Sequence, residues 1–267
     1  MLRQEVASAV LPGTVETLYV IGGFDSARTS TRSVEALRES WLAGPDYPLP
    51  IDHAAAATLG TRLFVSGGFS NGPARAEVFS FTEAGSWQAV APLNHARGAH
   101  ALVTLGDRLY AVGGRTGSEV AAVEMFNPAL NSWTDVTSLP QPRDHVAGFA
   151  WQGRVCIAGG RSPNTSRVDC YDPTTGGWSR LADLPGATSG AGAAAFGDLI
   201  LVAGGEDSAE SRLVDRVFRY RAGAWNEEPM LVARHGIQLA VFRGRAWACG
   251  GAIVPGYRAV SDCTSMR

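Results

Sequence analysis

An all-β propeller of six four-stranded antiparallel blades is the architecture this sequence predicts, and three observations predict it. A Gly-Gly pair recurs at Gly22-Gly23, Gly67-Gly68, Gly113-Gly114, Gly159-Gly160, Gly204-Gly205 and Gly250-Gly251, in steps of 45 or 46 residues. A short apolar run ends at each pair, as at 18–21, 63–65, 109–112 and 199–202. A tryptophan then follows 19 to 21 residues after the first glycine in five repeats, at Trp41, Trp87, Trp133, Trp178 and Trp225. A fixed period of this size marks one supersecondary unit repeated along the chain. Radial repetition of four-stranded sheets closes a propeller.

Each element of the unit has its own signal. A small-residue strand comes first, as at 54–57, 99–103 and 192–196. Its alanines favour a helix by propensity, but the repeat frame overrides that preference. Turns at Gly60, Gly106, Gly153, Gly197 and Gly244 lead into the apolar second strand. Continuous apolar runs bounded by glycine read as buried strands. A third strand falls around Val34-Glu35, Glu77-Val78, Val123-Glu124, Val168-Asp169 and Val214-Asp215. Turn residues such as Asn127-Pro128 and Asp172-Pro173 separate it from the fourth strand, which opens on the tryptophan.

The 267 residues read as a single domain, 1–267, and the 45% hydrophobic content supports a substantial core. The net charge of −2 excludes nucleic-acid or anionic-membrane partners held by bulk electrostatics. All positive charge is Arg. No run is long enough to span a bilayer, and the first residues lack a signal-peptide core, so a soluble cytoplasmic protein is expected. Four cysteines do not make a disulfide scaffold. Cys156 with Cys170, and Cys249 with Cys263, join the second and third strands of one blade, where a cross-strand disulfide is conceivable. Buried free thiols acting as small hydrophobes are the expectation.

The pattern of a Gly-Gly pair ending an apolar strand, an acid in the next strand, then Tyr-Asp-Pro and Trp resembles the Kelch-repeat family. Residues 168–173 followed by Trp178 carry it best, and 123–128 followed by Trp133 carry it closely. The resemblance covers essentially the whole chain and implies a Kelch-type propeller. One departure is legible. The sixth tryptophan falls due near position 270, past Arg267, so the last blade is expected to be incomplete. Closure is expected through a short N-terminal graft beside residues 261–264 or through a three-stranded blade.

Strand order puts the linkers entering each repeat and the loops after Gly-Gly on one face. Sixteen residues before each pair lie Val6, Ile51, Arg97, Arg143, Thr188 and Arg234, so the three arginines are expected to point at one rim of the central channel. His53, Asp144, His145 and His235 lie beside them. Arg115 and Arg161 follow Gly-Gly directly, and Glu206 holds that place in a third repeat. Bracing of neighbouring blades is the structural reading of these arginines; a basic pocket for a carboxylate is the functional one. None of the five histidines has a paired-ligand spacing, so no metal and no cofactor are expected. No nucleophile triad, nucleotide-binding loop or zinc-ligand pattern is present in the sequence. The Kelch resemblance implies a non-enzymatic module binding a protein or acidic peptide. The alternative it implies is a sugar-acid mutarotase like the Kelch-fold sialic acid epimerases, with one of Arg97, Arg143 or Arg234 holding the carboxylate of a small sugar acid.

Overall fold

The structure, a computed structural model, describes residues 2–207, 209 and 211–267. Six inner strands, Ala7–Leu11, Ala55–Leu59, Ala101–Leu105, Ala147–Trp151, Gly192–Phe196 and Leu239–Phe242, surround one axis, and the sixth touches the first. Convergence on the axis explains their small residues: a Cβ added to Gly148 would lie 2.5 Å from the Cβ of Ala101. Each inner strand pairs antiparallel with a second strand, and the second with a third, in chain order.

The second strands, such as Thr17–Ile21 and Leu199–Ala203, are almost wholly buried. The core lies between blades. Tyr19 and Ile21 of blade 1 pack with Leu63, Val65 and Phe81 of blade 2. Val6, Leu18 and Val20 pack with Ala240 and Phe242 of blade 6, so the apolar interface continues across the seam.

The Gly-Gly pair is a latch between blades. The N–H of each second glycine donates to a carbonyl in the next blade: Gly23 to Ile51, Gly68 to Arg97, Gly114 to Arg143, Gly160 to Thr188, Gly205 to Arg234 and Gly251 to Arg3. At Gly67, φ is +58° and a Cβ would sit 2.3 Å from the Arg97 carbonyl oxygen, so only glycine fits. The fourth strand adds an outer tie. Indole N–H groups of Trp87, Trp133, Trp178 and Trp225 donate to the carbonyls of Pro45, Ala91, Thr137 and Ala182 in the preceding blade.

Blade 6 has three strands, Leu239–Phe242, Arg245–Cys249 and Cys263–Met266. The N-terminal segment supplies no fourth strand. Arg3 instead forms a single bridge, its N–H donating to Val260 and its carbonyl accepting from Gly251, the same link that joins the other blades. Trp41, which would tie blade 1 to blade 6, is 43% exposed.

The free-thiol expectation is overturned. Cys156 is bonded to Cys170, and Cys249 to Cys263. Antiparallel register sets each pair directly opposite, with Cα atoms 4.0 and 4.1 Å apart.

Candidate functional site

Six residues entering the inner strands form a closed ring of backbone hydrogen bonds around the axis. Glu5 donates its N–H to Gly236, His53 to Glu5, Ala99 to His53, His145 to Ala99, Gly190 to His145 and Gly236 to Gly190, at 2.8–3.0 Å. All six have positive φ, between 50° and 65°. Only two are glycine, so Glu5, His53, Ala99 and His145 bear a backbone conformation unfavourable for side chains. The ring gathers three polar side chains at the channel mouth and leaves its other half lined by Ala99, Gly190 and Gly236.

Above the ring a cavity of about 600 Å³ opens on the post-Gly-Gly face, bordered by Glu5, His53, Arg161, Glu206, His235 and Tyr257 among others. Below it the channel narrows to about 70 Å³. There Gln238 closes the bore, its amide bonding Ser8 of blade 1 and Ala56 of blade 2.

The funnel side chains form one network. Asp52 and Asp144 each contact the Nδ1 of the following histidine, His53 or His145, at 2.6 Å. Nε2 of His53 faces Glu5 at 3.3 Å, and the rings of His53 and His145 are 5.1 Å apart. Phe24 and Phe69 meet the His53 ring edge to face. Arg161 lies against His145, Nη2 being 2.7 Å from Nε2, with Asp144 at 3.3 Å and Glu206 at 3.6 Å. His235 is buried, with Glu5 and Glu206 carboxylates at 3.7 and 3.6 Å. Arg115 sits further out, 39% exposed and 3.5 Å from Asp144.

Electrostatics divides the two histidines. Burial works against protonation of His53, but Glu5 and Asp52 outweigh it and raise its pKa. Burial lowers that of His145, and the Arg161 guanidinium and His53 add to the effect against Asp144. The Glu5 carboxyl is held below its usual range: burial opposes this, but His53, His145, His235 and Arg161 prevail.

Arg97, Arg143 and Arg234 do not reach this funnel, which corrects the rim expectation. All three are fully buried. Each donates to the carbonyl of its own repeat's first glycine, Gly113, Gly159 or Gly250, and to an acid in the third strand, Glu124 or Asp169, or just before it, Asp262. The buried glycine carbonyls and the buried carboxylates of Glu124 and Asp169 need donors, and the guanidinium fork supplies them, whereas Asp262 is half exposed. The equivalent residue in blade 1 is Arg3, bonded to Gly22 and Glu35, and not Val6. The first hairpin, between Leu11 and Thr17, is three residues longer than that between Leu59 and Arg62, which displaces the frame. The same displacement hid Glu5 among the ring residues. In blade 5, Thr188 replaces the arginine and its hydroxyl bonds Gly204. The remaining candidates, His53, Asp144, His145, Arg161, Glu206 and His235, do converge, with Arg115 at the rim.

A Kelch motif profile matches residues 96–140. Among curated proteins, the chain is 31% identical over 191 residues to Kelch-like protein 33 of Homo sapiens, covering 60% of this chain and 36% of that one. It is 29% identical to Kelch-like protein terF of Aspergillus terreus, covering 59% and 38%, and 28% identical to Beta-scruin of Limulus polyphemus, covering 60% and 19%. The chain thus spans well under half the length of these relatives. Among solved structures, that of YjhT superimposes with a TM-score of 0.82 over 99% of this chain and 95% of that one, at 17% identity, which is a likeness of fold.

Proposed function

The chain belongs to the Kelch-repeat family, and from that premise we propose that it is a recognition module whose post-Gly-Gly face takes a protein or peptide partner. The observation that carries this reading is the funnel: a cavity of about 600 Å³ on the axis, floored by polar side chains on a rigid hydrogen-bonded ring. Arg161 stands at its wall and Arg115 further out at the rim, with guanidinium forks suited to a carboxylate, so an acidic side chain of the partner is received at the rim, above the acidic floor. A peptide-display selection on the wild type, counter-screened on Arg115→Glu/Arg161→Glu, tests it. Enriched acidic peptides that bind only the wild type support the reading; peptides that bind both equally contradict it.

A second reading, a sugar-acid mutarotase, is favoured by one observation. A histidine with raised pKa and one with lowered pKa stand 5.1 Å apart beside Arg161. In that reading Arg161, and not the buried arginines, holds the substrate carboxylate, while His53 gives and His145 takes a proton. Anomer-exchange NMR with sialic acid distinguishes the two: exchange at the buffer rate rules the enzyme out.

The cytoplasm was the expectation from a sequence without a spanning run or signal-peptide core, but two disulfides fit an oxidising compartment better. No helix is long and apolar enough to cross a membrane among the described residues.

A further inference from the structure

We infer that the funnel floor binds a divalent transition-metal ion of the zinc type through Glu5, His53 and His145, with His235 beside them. One ligand atom from each of the first three lies within 4.8 Å of the other two. Zinc takes such nitrogens and oxygens at about 2.0–2.2 Å, so the side chains need to draw together by about an ångström. Two imidazoles and a carboxylate suit zinc, cobalt or nickel, whereas calcium and magnesium prefer oxygen alone.

Orientation is already set. His53 and His145 each hold a carboxylate on Nδ1 at 2.6 Å, supplied by the preceding aspartate. A carboxylate on the far ring nitrogen is what fixes metal-bound histidines and raises their basicity. An independent observation comes from His235. It is 2% exposed, lines the cavity, and neither ring nitrogen has a hydrogen-bond partner. A buried imidazole left unsatisfied is costly, and ligation would satisfy it.

Charge also favours a cation. Glu5, Asp52, Asp144 and Glu206 converge on the floor, faced by the guanidinium groups of Arg161 and Arg115. Arg161 is a competitor, since its Nη2 lies 2.7 Å from Nε2 of His145, the atom the ion needs. To admit the ion it must turn toward Glu206. The second His-acid group, His95 with Glu124 and Asp135, is not equivalent, because Glu124 is already engaged by Arg97 and the Asn94 N–H.

Cobalt titration of the chelator-stripped protein, followed by visible d–d absorption, tests this. The expected result is saturation at one equivalent, loss of the signal in His53→Gly/His145→Gly, and an unchanged signal in His95→Ala. Glycine suits the positive φ at both positions, as Gly190 and Gly236 do, and a circular-dichroism melt verifies the fold. Arg161→Met is expected to tighten cobalt several-fold by removing the competing charge. Absence of a saturable signal in the wild type, its survival in the double glycine variant, or unchanged affinity in Arg161→Met would each overturn the inference.

Discussion

Single residues in this propeller divide into braces and display groups, and burial separates them. Arg97 is a brace: it and Glu124 are both fully buried and bonded to each other. Removing one partner leaves a charge stranded in the interior, so Arg97→Met is expected to cost about 3–5 kcal/mol in chemical denaturation. Arg161, at the funnel wall, is expected to cost far less on truncation while altering binding. His100 offers a pH test. Burial, reinforced by Arg97, pushes its pKa down to about 3, and its Nε2 bonds Ser66. The native state therefore keeps it neutral, while the unfolded chain protonates it below about 6.5. Between those values the unfolded state binds more protons, so stability falls as pH falls, at up to about 1.4 kcal/mol per unit from this residue. A His100→Gln variant should show a shallower loss of stability from pH 6.5 to 4; the same slope as wild type would contradict this.

At the scale of elements, the positive-φ ring and the Gly-Gly latch do the joining. Ala99 holds φ 55° with no polar group to justify it. Ala99→Gly is therefore expected to stabilise by about 0.5–1 kcal/mol, read as a rise in Tm. The disulfides each close a loop of 14 residues, so a reductant is expected to lower stability by about 3 kcal/mol per bridge. Cys249→Ala/Cys263→Ala should harm most, because Cys263–Met266 is the outer strand of the three-stranded blade. Strand order, the glycine turns and the short sixth blade were legible in the sequence because each repeat states them again. The ring was not: it holds Glu, His, Ala, His, Gly and Gly, so no one residue type marks the position in every repeat, and the long first hairpin moved Glu5 and Arg3 out of frame. The disulfides were hidden for another reason. Cys156 occupies a position held by Tyr19, Phe64, Tyr110, Leu201 and Trp247 in sister blades, and Cys263 one held by valine, so both pass as core residues; sequence gives the strand pairing but not the redox state.

Over the whole molecule, six latches and six ring bonds make a closed scaffold with one polar funnel on its axis. The seam at blade 6 is closed by backbone links at Arg3 and Glu5 and by the apolar cluster of Val6, Leu18 and Phe242, while the outer tie at Trp41 is missing. Rigid framing of a polar cavity favours binding with little rearrangement. The post-Gly-Gly face is the central claim, and hydrogen exchange with a selected acidic peptide bound tests it most directly. Slowed exchange is expected at 24–31, 115–119, 161–165 and 252–259, around the funnel. Slowing confined to the opposite hairpins, at Gly60, Gly106, Gly153 and Gly197, would contradict it.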